Sequence, residues 1–134
     1  MTIQELSQYQ WLVREIEMNK RRLAELEESA AGPASPALDP APHGTGYVDN
    51  KVEQKVVAIV TLCEQIERQQ ERCMAERFRL EQYINGIGDS HTRQIFVHRF
   101  VEGLSWLQVA AAVGGGNTED SVKKICYRYV SANE

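Results

Sequence analysis

Eleven positions, Val52, Val56, Ile59, Cys63, Ile66, Gln70, Cys73, Arg77, Leu80, Ile84 and Ile87, follow one another at spacings that alternate four and three. That alternation is the heptad period of a helix whose one stripe meets another helix, and no strand can present it on one face. The run predicts a single helix from about Asn50 to Asn85, about 50 Å long at 1.5 Å per residue. Asn50-Lys51-Val52-Glu53 reads as its N-terminal cap, and Gly86 is placed to end it. Gln70 and Arg77 interrupt the seam, where polar residues fix register at a cost in stability. A stripe this long exceeds what one shorter helix can cover, so part of it must meet another chain or the C-terminal domain, and Val52, Val56, Ile59, Ile66 and Leu80 are candidate oligomerisation residues.

A second helix is expected over about Ile3 to Ser29. Thr2 and Glu5 have the spacing of a capping box, and Leu12, Ile16, Leu23 and Leu26 recur at near-helical intervals. Residues 30–49, with four prolines and His43, form a linker that lets the first helix fold back antiparallel on the second. His43 in such a loop is simply solvated. The expected organisation is therefore an N-terminal helix at 1–29, a linker at 30–49, a heptad helix at 50–86 and a C-terminal domain at 89–134.

Net charge is −4, which disfavours a polyanionic partner. The charge is uneven, however. Of the 15 Lys and Arg, 10 precede Gly86, and of the 19 Asp and Glu, 14 do. The C-terminal part is thus neutral, and its affinity for nucleic acid would gain from pairing two copies. Cys63, Cys73 and Cys126 form no CxxC pair and suit reduced thiols of a cytosolic protein. No signal peptide opens the chain, and no apolar run approaches the roughly 20 residues that span a bilayer.

From Asp89 the pattern becomes helix, turn, helix, turn, helix. A first helix is predicted over about Ser90–Val101 with Ile95, Phe96, Phe100 and Val101 apolar, and Gly103 ends it. A second covers about Ser105–Val113, opened by a Ser105–Gln108 cap and burying Leu107, Val109, Ala110 and Val113. Gly114-Gly115-Gly116-Asn117 can only turn. The third begins near Thr118. At 100° per residue, Val122, Ile125, Cys126 and Tyr129 share an inner face. Asp120, Lys123, Lys124, Tyr127 and Arg128 share the outer one. Lys and Arg suit phosphates or guanine edges, and Asp accepts from cytosine or holds Lys124 at i+4. Ser105 and Gln108 lie at one helix N-terminus, and Thr118 and Ser121 at the next, where anions are favoured. Trp106 reads as a brace between the helices, or as part of a surface for DNA or polymerase.

The stretch RQIFVHRFVEGLSWLQVAAAVGG with its S-V-x-x-I-x-x-R-Y ending resembles the helix-turn-helix of sigma-factor region 4. More closely, the chain resembles small phage and prophage transcriptional regulators of the RinA/ArpU type. Arg99-Phe100, Gly103-Leu104-Ser105-Trp106 and Val109-Ala110 carry the likeness. Pro42-His43-Gly44-Thr45-Gly46 and Asp49-Asn50-Lys51-Val52 extend it to nearly the whole chain. The resemblance implies an all-α fold, a helical hairpin or coiled arm followed by a three-helix helix-turn-helix domain. It implies a promoter-binding regulator of phage genes that pairs through its arm and meets double-stranded DNA, with RNA polymerase as a further partner. The turn departs from the usual motif: Val122 stands eight positions after Gly114, two more than usual.

Two other readings fit the same layout: a small terminase-like packaging subunit, and an adaptor that docks on polymerase or a repressor without touching DNA. Enzymatic readings find little support. GGGN lacks the Lys-Ser/Thr of a phosphate loop, His91 and His98 have no accompanying carboxylate pair, and no nucleophile faces a base. No cofactor or metal site is expected.

Overall fold

The computed structural model of this protein describes residues 1–31 and 45–134, the first six residues of the second segment by backbone course alone. The proline-rich stretch with His43 lies outside the described residues. Among the described residues there are five α-helices: α1 at Ile3–Ala30, α2 at Thr45–Asn85, α3 at Ser90–Phe96, α4 at Trp106–Val113 and α5 at Glu119–Ala132. A π-helical turn, Val97–Val101, extends α3. No strand occurs among the described residues. The first two helices pack together as a hairpin. No helix among the described residues is long and apolar enough to cross a membrane.

The helix starts follow their caps. Thr2 Oγ1 accepts from the Glu5 amide at 3.1 Å while the Glu5 carboxylate accepts from the Thr2 amide at 2.9 Å, closing the reciprocal box at the head of α1. Asp89 accepts from both the amide and the hydroxyl of Thr92 at 3.0 and 2.7 Å. These bonds hold its carboxyl below the ordinary carboxylate range. One expected start is corrected. α2 begins at Thr45, so Asp49 and Asn50 lie within the helix and do not cap it. Both are mediocre helix formers, but the penalty of roughly 0.7 kcal/mol each is too small to stop a long helix.

The chain divides into two compact units. One comprises Arg14–Glu71. There Ile16, Leu62 and Ile66 are buried. Gln69 sits between two α1 residues, receiving from Asn19 at 2.9 Å and donating to Glu15 at 3.0 Å. This corrects the expected seam. The inward line of α2 uses Gln69 and Glu76 where Gln70 and Arg77 were expected and adds the buried Leu62 beside a half-buried Cys63, while Ile66, Cys73, Leu80 and Ile84 stay on it. Leu62 buries more apolar surface than Cys63, and Gln69 finds partners, so the line shifts by one residue at alternate turns. The polar residue that fixes register is Gln69, and both Gln70 and Arg77 are exposed.

The other unit comprises Met1–Val13 and Arg72–Glu134. Its core joins Leu6 of α1 and Leu80 and Ile84 of α2 to Ile95, Phe96, Phe100, Val109, Val122 and Cys126. The expected boundary between residues 86 and 89 is therefore a turn in the chain but not a break in packing. Phe96 anchors the cluster, with ring centroids of Phe100 and Tyr129 each 5.4 Å away. Edge-to-face and tilted pairs of this kind add roughly 1 kcal/mol beyond burial.

Candidate nucleic-acid interface

The expected single helix over Ser90–Val101 is instead an α-helix followed by a wider turn. Glu102 N bonds to Val97 O at 3.0 Å and Leu104 N to His98 O at 3.0 Å, longer loops than the α-helical ladder. Widening leaves carbonyls without a ladder partner, a cost unless another donor arrives. Gln10 of α1 supplies it: its Nε2 donates to Val101 O at 2.7 Å and to Phe100 O at 3.4 Å. Arg99 closes the turn by donating to Leu104 O at 2.9 Å. Gly103 then reverses the chain with φ at +75°, and a Cβ there would stand 2.6 Å from Gln10 Oε1. No sequence signal pointed to Gln10, which lies about 90 residues from its acceptors.

α4 opens with the anticipated box. Ser105 Oγ accepts from Gln108 N at 3.2 Å, and the Gln108 side-chain oxygen accepts from Ser105 N at 2.9 Å. Val109 and Ala110 face inward, whereas Leu107, expected to be buried, is 67% exposed. The reason is angular: Leu107 precedes Val109 by two residues and so points about 200° away from it. Gly114, Gly115 and Gly116 all take positive φ, a conformation that costs other residues energy. Asn117 folds its amide back onto Gly114 O at 2.6 Å and reaches His91 Nε2 at 3.3 Å. The turn is thereby tied to α3.

α5 follows with a second reciprocal box. Thr118 Oγ1 accepts from Ser121 N at 3.1 Å and Ser121 Oγ from Thr118 N at 2.8 Å. Val122, Cys126 and Val130 are buried, with Ile125 and Tyr129 half-buried beside them. Burial pushes the Cys126 thiol up to about 12. Lys123, Lys124, Tyr127 and Arg128 stand exposed on the other side, together with Glu119 and Asp120. Among the described residues, neither Lys124 nor Arg128 forms an ion pair, and Asp120 does not hold Lys124.

Trp106 connects this face to the rest of the unit. The Arg99 guanidinium lies 4.5 Å from its ring centroid. On the other side Tyr127 meets it edge-on at 6.1 Å. The Lys123 ammonium lies 5.9 Å from the Tyr127 ring. The order is cation, indole, phenol, cation, running from the π-turn to the outer face of α5. Trp106 therefore braces the helices and remains only half-buried.

The nine residues expected to meet DNA divide by what they already do. Ser105, Gln108, Thr118 and Ser121 are committed to caps, which hold the two helix starts in place. Lys123, Lys124, Tyr127 and Arg128 are brought together on one exposed face, with Asp120 at its leading end. The five expected oligomerisation residues are not brought together. Leu80 is 1% exposed and Ile66 6%, both spent inside the chain, while Val52 and Val56 are exposed and Ile59 is half-buried. The two histidines do not converge either: His91 meets Asn117, and His98 meets Glu102 at 3.0 Å. No group of three or more His, Cys, Asp or Glu among the described residues could hold a metal ion. No known family model, curated protein or solved structure matches the chain.

Proposed function

We propose that this protein is a DNA-binding transcriptional regulator of phage type, acting in the host cytosol as a homo-oligomer and without enzymatic activity. One observation carries the reading: Lys123, Lys124, Arg128 and Tyr127 stand together on the free face of α5, behind a glycine turn and two capped helix starts. Three cations on one helical face, with no internal ion pair to Lys124 or Arg128, suit phosphates on both sides of a groove or the edge of guanine. Tyr127, 41% exposed and held by Trp106, adds a planar group with a hydroxyl. Glu119 and Asp120 at the leading end oppose a polyanion. They direct the contact toward the middle of α5, around Lys124 and Arg128.

Affinity from one copy is expected to be modest, since the C-terminal part carries five cations and five carboxylates. Two copies double the phosphate contacts and raise the salt dependence accordingly. RNA polymerase is a further proposed partner. Selection of bound fragments from random duplex DNA, followed by fluorescence anisotropy on the enriched sequence, tests the reading. Enrichment of one sequence supports it. Recovery of no duplex above background at low salt contradicts it.

A further inference from the structure

Two features of α2 in the larger unit have no role in DNA reading. The first is a projection. Met74 and Phe78 are 74% and 65% exposed, an unusual placement for large apolar side chains on neighbouring turns. The second is a recess of about 520 Å³ whose floor is Ile84, Val97 and Val101 and whose rim includes Arg77, Glu81 and Glu102. Met74, Phe78, Glu81 and Asn85 succeed one another at intervals of four, three and four, so they share one side of α2. Glu81 and Asn85 also line the recess. Projection and recess therefore lie on the same face of the same unit.

We propose that a second copy of this chain docks on this face, with Phe78 of each copy seated in the recess of the other. It gives the proposed homo-oligomer its interface and does not depend on α5 reading DNA. A two-fold interface must be self-complementary, so that residue i meets j and j meets i. A surface carrying both a knob and a hole meets that demand, whereas a knob alone would need a different partner. The rim charges do not oppose this contact. Arg77 is paired with Glu81 at 2.9 Å and Glu102 with His98 at 3.0 Å, so each copy satisfies its rim charges and the contact rests on the apolar fit of Phe78 over Ile84, Val97 and Val101. The π-turn has a role here as well: it contributes Val97 and Val101, whose carbonyl end is fixed by Gln10.

Analytical ultracentrifugation of the full chain without DNA, over a wide concentration range, tests this. The wild type is expected to dimerise reversibly. Phe78→Ser removes an exposed side chain, so the fold is kept and circular dichroism should be unchanged, while the dimer dissociation constant rises on the order of tenfold or more. A wild type that stays monomeric throughout overturns the proposal. So does a dimer that survives Phe78→Ser, or one dissociated only by Val56→Glu/Val60→Glu at the other end of α2. Because no DNA is present, failure of the dimer and failure of α5 to bind a duplex are told apart.

Discussion

The guanidinium carbon of Arg99 lies 4.5 Å from the ring centroid of Trp106. This pairing joins the middle of the π-turn to the first residue of α4, and Tyr127 carries the contact on to α5. Trp106→Ala is expected to cost about 2 kcal/mol, less than a fully buried Trp truncation because the ring is half-exposed. Trp106→Phe keeps an aromatic face and should lose about half as much. Urea denaturation of the two variants checks the order. Equal stability of Trp106→Ala and wild type would remove the brace.

Gly103 and Gln10 share a second close relation. Gly103→Ala must adopt φ near +75° and push a Cβ against the Gln10 amide. A loss of about 1–2 kcal/mol is expected from the backbone strain. Because the clash is with Gln10, Gly103→Ala/Gln10→Ala should be less destabilised than the two single losses added together. Strict additivity in the double-mutant cycle would show that the two positions do not meet.

Tyr83 packs against Phe96 and Tyr129, with ring centroids at 6.2 and 6.3 Å. Its hydroxyl is buried and has no hydrogen-bond partner among the described residues. Tyr83→Phe removes that orphan and keeps the ring, so stability should stay level or rise by about 1 kcal/mol. A marked fall in Tm would mean the hydroxyl has a partner in solution.

Cys126 contributes to the alkaline limit of stability. Its thiol is raised from 9.0 to about 12 in the fold, so the folded state holds the proton longer than the unfolded chain. This contribution is complete below pH 9 and declines as pH rises from 9 toward 12. Tyr83, also raised by burial, bends the curve the same way at its upper end. Stability measured from pH 7 to 11 should therefore fall above 9, and less steeply in Cys126→Ala than in wild type. Identical slopes would contradict a buried thiol.

Where side chains repeat at helical spacing, the sequence exposed the structure well. Two of the reciprocal caps, Thr2–Glu5 and Ser105–Gln108, are local and could be read directly. The glycine turn could be read because three consecutive glycines exclude continued helix. The sorting of α5 into Val122 and Cys126 inside and Lys123, Lys124 and Arg128 outside needed only an angle. What escaped depends on distant partners. The last carbonyls of the π-turn accept from the side-chain amide of Gln10 of α1, and Gln69 displaces Gln70 because Asn19 and Glu15 stand opposite it. The arm residues illustrate the same limit: periodicity placed Leu80 on a seam, and only packing assigns that seam to the chain's own core.

The most direct test of the central claim is the salt dependence of duplex DNA binding for the wild type and for Lys123→Ala/Lys124→Ala/Arg128→Ala. These side chains are exposed, so the triple variant should fold as the wild type does. Each phosphate contact contributes a slope of about −0.9 to log K against log salt, so the variant should bind more weakly and lose roughly two to three units of slope per reading helix. The same affinity and slope in both proteins would contradict the assignment of α5 to the groove.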